Sequence, residues 1–251
     1  MQEPKGIIAW YRKQGRHMPW RETRNPYAIW IAEIVFQQTR IEQGIGHYER
    51  FMERFPDVES LAHASQDEVL KYWEGLGYYS RARNLHQAAR QLVNDYNGRF
   101  PQSHQELIRL KGVGEYTSRA ISSFAFGEKV GVLDGNVQRV LARYWAIDAP
   151  VNSPAVRRDM QERLDEWAAV SDSRLLNHAL MDLGSIICTP KKPGCLLCPL
   201  LEGCQARASG RISELPLKLK SKRQEPRYAF FYLVHDEAGR IAIRQRPAEG
   251  L

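Results

Sequence analysis

The sequence predicts an all-α protein with a short β-hairpin only near its C-terminal end. Apolar residues recur at helical spacing through most of the 251 residues. N-cap residues, among them Asp134 and Ser153, precede several of these stripes. The four cysteines all lie within residues 188–204, which favours a metal-binding loop over the disulfides of a secreted protein. A chain of this length can hold two compact units.

Charge and hydropathy restrict the class of partner. The net charge is +7 and the sequence pI is about 9.3, which favours a polyanion such as DNA. No apolar run reaches the roughly 18 residues that a membrane span needs, and the N-terminus lacks a signal-peptide pattern. We therefore expect a cytoplasmic protein without a membrane partner, associated with the nucleoid if it binds DNA.

The first predicted helix spans residues 4–15, and a loop over residues 17–21 follows. The stretch from Tyr27 to Phe36 is apolar except for Glu33 and is predicted to be a buried helix. Burial disfavours the carboxylate and raises its pKa towards neutrality, as a general acid at physiological pH requires. The alternative is a structural carboxyl that bonds to neighbouring backbone or to an arginine.

A capping box from Ser65 to Glu68 opens a helix that is predicted to end at the glycine turn of residues 75–77. Two tyrosines and a basic helix with Arg81 and Arg83 follow. Arginines beside tyrosines fit phosphate binding combined with base stacking. A solvated basic face above core aromatic residues is the alternative.

A second glycine turn is predicted between two helices. Ser103 and Glu106 form a capping box for the first helix, and the second begins near Tyr116. Gly112 and Gly114 free the backbone between them. The N–H groups at such a turn can hold a phosphate.

Asp134 is predicted to be the N-cap of the next helix. Its carboxylate would be held by helix N–H groups and stay ionised. The plainer interpretation of both segments is two capped helices and a turn, because such features occur in proteins of many functions.

The last third of the chain changes character. Ser153 and Pro154 open a further helix. The cysteine spacing C-x6-C-x2-C-x5-C can hold a tetrahedral zinc ion or a [4Fe–4S] cluster. Residues 209–227 are basic and broken by prolines, which predicts a linker. Residues 228–246 show a β-hairpin pattern around a turn at 236–239.

Two segments resemble a known family. LKGVGEYT at 110–117 and VLDGNVQRVLAR at 132–143 are similar to the hairpin and the catalytic-Asp segment of the endonuclease III, or helix-hairpin-helix, superfamily of DNA glycosylases. The second segment is closest to the adenine DNA glycosylase branch, the MutY family. The cysteine spacing resembles the [4Fe–4S] loop of the same families, so the resemblance implies that cofactor.

The resemblance also implies a division into domains. Residues 23–129 would form a six-helix barrel domain with the helix-hairpin-helix. Residues 1–22 and 130–208 would form the iron–sulfur cluster domain. Residues 209–227 would be a linker, and 228–251 the start of an incomplete C-terminal domain of the kind that recognises 8-oxoguanine.

Residue roles follow from the matched motifs. Glu33 would be the acid, and Asp134 would stabilise the sugar cation, with Asn136 beside it. Tyr116 occupies the position of the Schiff-base lysine of bifunctional members, so no strong lyase activity is expected. The base pocket would comprise Met18, Trp20, Arg21 and His178. The DNA contacts would comprise Gln38, Thr39, Tyr78, Arg81, Arg83, Gly112, Val113 and Gly114. The cluster ligands would be Cys188, Cys195, Cys198 and Cys204.

One residue departs from the family pattern. His178 stands where the MutY family usually has Gln or Glu, so adenine recognition is expected to depend on pH.

The resemblance implies a monofunctional DNA glycosylase that acts as a monomer. It would flip adenine out of double-stranded DNA in which adenine is mispaired with 8-oxoguanine or guanine, and hydrolyse the N-glycosidic bond. A mismatch thymine or uracil glycosylase of the same superfamily is one alternative. A DNA-lesion binding protein without turnover is another.

Overall fold

The computed structural model describes residues 6–219, 228 and 232–243. The chain divides into two compact units, Met1–Leu219 and Lys220–Leu251. Among the described residues, no helix is long and apolar enough to cross a membrane.

The first unit is helical, as the sequence predicts. Its α-helices are α1 (Ile7–Gln14), α2 (Pro19–Glu22), α3 (Pro26–Val35), α4 (Ile41–Arg54), α5 (Val58–His63), α6 (Gln66–Tyr72), α7 (Ser80–Tyr96), α8 (His104–Leu107), α9 (Glu115–Ile121), α10 (Gly135–Tyr144), α11 (Pro154–Val170), α12 (Ser173–Asp182) and α13 (Gln205–Ala208). Wider π-helical turns extend α9 over Ser122–Phe126 and α12 over Leu183–Ile187, and a 3₁₀ turn covers Cys195–Leu197.

Two hydrophobic cores organise these helices. Side chains from α2 to α9 surround Trp30 and Trp73 in the first core. The second core joins α1 to α10, α11 and α12 around Trp167. A smaller cluster that includes Ile29 and Val132 connects α3 to the segment before α10. Helix α3 and the segment that leads into α10 therefore lie near each other, which positions the candidate site.

Local capping explains where the key helices begin. Asn25 caps α3 by accepting from the N–H of Tyr27 at 2.9 Å, and Pro26 occupies the first turn. Asp134 caps α10 and Ser153 caps α11, as the sequence predicts. Ser103 is the N-cap residue of α8, as the sequence predicts, but the predicted capping box does not form, because the Ser103 hydroxyl donates to the Glu106 carboxylate at 2.7 Å and does not bond to the helix backbone.

The predicted linker differs from the structure in its first half. Leu215 is buried, and its carbonyl accepts from the Arg143 guanidinium at 3.0 Å. The backbone N–H of Val151 donates to the carbonyl of Leu217 at 3.0 Å. Residues 211–219 are therefore packed against the helical unit. Residues 220–227 lie outside the described residues.

In the second unit, one antiparallel bridge joins His235 to Ile241 around a turn at Asp236. Asp236 accepts from the N–H groups of Ala238 and Arg240, which closes the turn. No strand forms over 232–243, and the remainder of the predicted hairpin, apart from residue 228, lies outside the described residues.

Candidate active site

A cavity of about 570 Å³ opens between the C-terminal half of α3 and the start of α10. It brings together most of the residues that the sequence analysis assigned to catalysis and base binding. Its lining includes Met18, Trp20, Arg21, Glu33, Gln38, Thr39, Tyr116, Asp134 and Asn136. Met181, which the sequence analysis did not single out, also lines it.

Glu33 lies on α3 among buried apolar neighbours and reaches the cavity. This burial raises its pKa from 4.5 to about 7. The Tyr116 hydroxyl, which donates to Oε2 at 2.7 Å, and the charge of Arg21 oppose the rise, while the charge of Asp134 adds to it. A substantial fraction of the carboxyl is therefore protonated at neutral pH.

Asp134 combines a structural and an electrostatic role. Its Oδ1 accepts from the N–H of Val137 at 2.7 Å, and its Oδ2 accepts from Asn136 Nδ2 at 3.3 Å. Burial nevertheless raises its pKa above the ordinary value, although these donors and Arg139 oppose the shift. Capping alone predicted no such rise, since the sequence does not show how deeply the N-cap is buried.

Arg21 is fixed on the cavity wall by a residue that the sequence analysis missed. Asp182 is fully buried and accepts from Arg21 Nη1 at 2.9 Å and from Arg16 Nη2 at 2.7 Å. Burial opposes ionisation, but Arg21 and Arg16 hold the Asp182 pKa below its ordinary value. The sequence pattern that singles out Glu33 also applies to Asp182, because Asp182 is a lone carboxylate in an apolar helical stripe.

His178 does not lie where the sequence analysis placed it. It is 4% exposed, is absent from the cavity lining and packs against the ring of Phe124 at 4.2 Å between ring centroids. Burial, together with Arg21 and Arg174, lowers its pKa well below 6.5. The imidazole is therefore neutral at physiological pH. A change in its charge near neutral pH, on which the expected pH-dependent recognition of adenine rests, does not occur.

Two residues assigned to DNA contact have unusual backbone conformations. Gln38 and Tyr78 have φ angles of 61° and 46°, in the left-handed region that non-glycine residues rarely adopt. Tyr78 is 66% exposed, and Gln38 is also exposed while it lines the cavity. Such strain persists only where neighbouring contacts enforce it, and it is common at ligand-binding sites.

The two arginines of α7 differ in their surroundings. Arg83 is exposed, whereas the guanidinium of Arg81 donates to the carbonyls of Ile34, Gln37 and Leu76 at 2.6–3.0 Å. These bonds turn Arg81 towards the protein. Arg81 therefore has a structural role that the sequence did not indicate, and its assignment to phosphate contact stays a prediction.

The predicted helix-hairpin-helix joins α8 to α9. Gly112 has a φ of 74°, and a Cβ there would lie 2.5 Å from the Cβ of Asn84, so this position requires glycine. Val113 is buried and anchors the turn. Gly114 has an ordinary φ and open space around its Cα, so the surface of the turn stays accessible there.

The four cysteines have free thiols and line one cavity, together with apolar side chains such as Ile187, Leu201 and Ile212. Arg143 is buried beside them, and its Nη1 donates to Cys188 Sγ at 3.3 Å. Within the described residues, no group of three or more His, Cys, Asp or Glu side chains is arranged to hold a metal ion. Four thiol groups in one apolar pocket are a donor set that fits either a tetrahedral zinc ion or a [4Fe–4S] cluster.

Glu33→Gln is expected to raise the thermal unfolding temperature, with a gain that grows with pH. The Glu33 pKa of about 7 in the folded protein exceeds the value of about 4.3 expected in the unfolded chain. Wild-type stability is therefore lost progressively as pH rises from the lower value through the upper one, by up to about 4 kcal/mol, while glutamine cannot ionise.

Melting curves at pH 5 and pH 8 measure this gain. Glu128→Gln is the matched control, because bonds from Ser122 and His104 lower the Glu128 pKa in the folded protein despite its partial burial. That variant should be less stable than the wild type by a similar amount at both pH values, because a lowered carboxyl pKa has already added its stability once the pH is above the unfolded value of about 4.3. A Glu33→Gln gain that is the same at both pH values would contradict the raised pKa.

Residues 31–166 match the model described as the HhH-GPD superfamily base excision DNA repair protein. The chain is similar to the adenine DNA glycosylase of Buchnera aphidicola subsp. Baizongia pistaciae, with 35% identity over 98% of this chain and 70% of that protein. It is also similar to the adenine DNA glycosylase of Rattus norvegicus, with 40% identity over 84% of this chain. The chain spans 43% of the rat protein's length.

Among solved structures, a thermostable thymine-DNA glycosylase is similar in fold. It has 31% sequence identity and a TM-score of 0.76, over 82% of this chain and 95% of that one.

Proposed function

The chain belongs to the HhH-GPD superfamily of base excision DNA repair proteins and is a hydrolase of N-glycosidic bonds; we propose that its substrate is adenine mispaired with 8-oxoguanine or guanine in double-stranded DNA. The observation that carries the proposal is the pair of carboxyl groups in one cavity, Glu33 with a pKa raised to about 7 and Asp134 at the start of α10. The similarity to curated adenine DNA glycosylases supports the choice of base.

In the proposed reaction, water replaces adenine at the sugar C1′ atom. Neutral Glu33 donates its proton to a ring nitrogen of adenine, so that the base leaves uncharged. The Glu33 carboxylate then takes a proton from the water that bonds to C1′, which restores the neutral acid. The Tyr116 bond occupies Oε2, which leaves Oε1 to carry that proton. The Asp134 carboxylate stabilises the positive charge that develops on the sugar as the bond breaks. Asn136 holds Asp134 in place through its side-chain amide.

Adenine can reach this cavity only after it is flipped out of the duplex. Trp20 and Arg21 on the cavity wall would contact the base, and Trp20 is held by stacking on Phe36 at 4.4 Å between ring centroids. The exposed Tyr78 and Gln38 would occupy the space that the flipped adenine leaves in the duplex, or contact the base opposite it. Arg83 and the turn at Gly112–Gly114 would contact phosphates. The protein would act as a monomer.

We propose that the four cysteines hold a [4Fe–4S] cluster, whose role is to hold the loop over 188–204 in its folded form. The purified protein should then be yellow-brown and contain iron and acid-labile sulfide. Cys198→Ser should lose the colour and much of its solubility, since the fold of the loop depends on the cluster. Colourless protein with one zinc ion per chain would contradict the assignment.

The enzyme is proposed to be monofunctional, because Tyr116 has no amine. Tyr116→Lys is expected to introduce strand nicking at the processed site through a Schiff base with the sugar. Borohydride trapping of a covalent protein–DNA adduct measures this, and Tyr116→Phe serves as the control without an amine. If Tyr116→Lys gives no adduct, the cavity does not direct this side chain at the sugar.

A mismatch thymine or uracil glycosylase is the second candidate, and the fold similarity to a thymine-DNA glycosylase favours it. Base release from otherwise identical duplexes with A:8-oxoguanine, A:G, T:G, U:G and A:T pairs separates the candidates. Adenine release from the first two duplexes alone supports our proposal. Thymine or uracil release would replace it, and tight binding without release would indicate a lesion-binding protein.

A further inference from the structure

Two separate turns contribute exposed side chains to the candidate DNA surface. One follows α3 and contains Gln38, and the other precedes α7 and contains Tyr78. Each turn has a non-glycine residue in the left-handed region, with φ angles of 61° and 46°. A strained conformation of this kind needs contacts that hold it in place.

One side chain contacts both turns. Arg81 Nη1 donates to the carbonyls of Ile34 at 2.8 Å and Gln37 at 2.6 Å, at the end of α3 and just before Gln38. Its Nη2 donates to the carbonyl of Leu76 at 3.0 Å, two residues before Tyr78. The planar guanidinium therefore joins the two turns through donors that point in fixed directions.

Aromatic contacts complete this arrangement. The guanidinium carbon of Arg81 lies 5.6 Å from the ring centroid of Tyr78 and 5.3 Å from that of Trp73. Trp73 in turn donates from its indole nitrogen to the carbonyl of Gly77 at 3.0 Å. Both the backbone and the ring of Tyr78 are thus positioned by the same cluster.

We propose that Arg81 is a positioning residue that holds Gln38 and Tyr78 as one rigid probe of the duplex. The probe recognises the mispair and opens the stack, while the phosphate contact on α7 comes from Arg83. This inference rests on the proposed function, because it assigns the two turns to the same DNA substrate.

Arg81→Lys separates positioning from phosphate binding, because lysine keeps the charge but lacks the planar fork of donors. We expect Arg81→Lys to lower the preference for A:8-oxoguanine over A:T duplexes by about ten- to a hundredfold, as misplaced contacts do. The salt dependence of DNA binding should be unchanged. Arg83→Ala should instead reduce the slope of log affinity against log salt by about 0.9 and leave the preference intact.

Opening of the duplex can be measured independently of adenine release. 2-Aminopurine placed beside the mispair should brighten when the wild-type protein or Arg83→Ala unstacks it, and much less with Arg81→Lys. If Arg81→Lys matches the wild type in preference and fluorescence, or changes the salt slope as a phosphate contact would, the inference is overturned. If the wild type itself neither prefers the mispair nor unstacks it, the proposed function fails instead.

Amide hydrogen exchange tests whether the effect is local. Arg81→Lys and Arg81→Gln should both speed exchange in residues 36–39 and 76–79, while amides in α12 stay protected. If both variants lost protection at amides throughout the helical unit, the inference would be overturned, because Arg81 would then stabilise the whole unit and not the two turns.

Discussion

Replacing Asp134 with asparagine is expected to lower the single-turnover rate of adenine release by at least about 10²-fold. Asparagine is an N-cap of similar strength, so α10 should begin at the same residue and the fold should persist. The change removes only the negative charge that would stabilise the developing sugar cation. DNA binding should remain, because affinity comes mainly from phosphate contacts elsewhere on the surface.

Asp172→Asn is a matched control for this substitution. Asp172 caps α12 by accepting from the N–H of Leu175 at 3.1 Å, and it does not line the cavity. The same chemical change at that cap should leave adenine release near the wild-type rate. If both variants lose activity equally, the loss reflects weakened capping and not the charge of Asp134.

Glu33→Gln is expected to lower single-turnover adenine release by about 10²- to 10⁴-fold, as the loss of a general acid typically does. Glutamine has nearly the same shape and can still accept the Tyr116 hydroxyl, which donates to Glu33 Oε2 at 2.7 Å. It cannot supply the proton that adenine needs to leave as a neutral base. A mismatch-binding assay on the same preparation should show affinity near that of the wild type.

The Glu33→Gln and Asp134→Asn defects should not be additive. Both groups act on one transition state, so the double variant should be only slightly slower than the slower single variant. Fully multiplicative defects would mean that the two carboxyl groups act in separate steps.

Local sequence rules located the two carboxyl groups. Glu33 interrupts an apolar stretch, and burial raises the pKa of such a carboxyl unless a cation pairs closely with it, as Arg21 does with Asp182. Asp134 was found from an N-cap pattern that needs only the next few residues. The matched family segments, and not the physical rules, supplied the expectation that both groups meet in one site.

Long-range contacts account for the differences between the sequence-based expectations and the structure. The acceptors of the Arg81 guanidinium on the α3 side lie 44–47 residues earlier in the chain. The sequence does not reveal which distant carbonyls are left without a partner at a helix end. The position of His178 has a related cause, since its ring packs against Phe124 from another helix and does not line the cavity.

Residues 211–219 show a third limit of the sequence patterns. Their basic, proline-containing composition is typical of a linker, but Leu215 is buried and Arg143 bonds to its carbonyl. A single apolar residue can anchor such a segment where a complementary pocket exists. The groups that bond to this segment, Arg143 and Val151, lie far from it in the sequence, so composition alone did not predict the packing.

The central claim is that Glu33 supplies the proton for adenine release, and the pH dependence of that release tests it most directly. With enzyme below saturation, the second-order rate constant on an A:8-oxoguanine duplex reports the pKa of the free enzyme. We expect it to fall tenfold per pH unit above about pH 7, where burial places the Glu33 pKa, and we expect this fall to disappear in Glu33→Gln. A wild-type rate that is level from pH 6 to pH 9, or a Glu33→Gln variant with the wild-type rate and profile, would contradict the account.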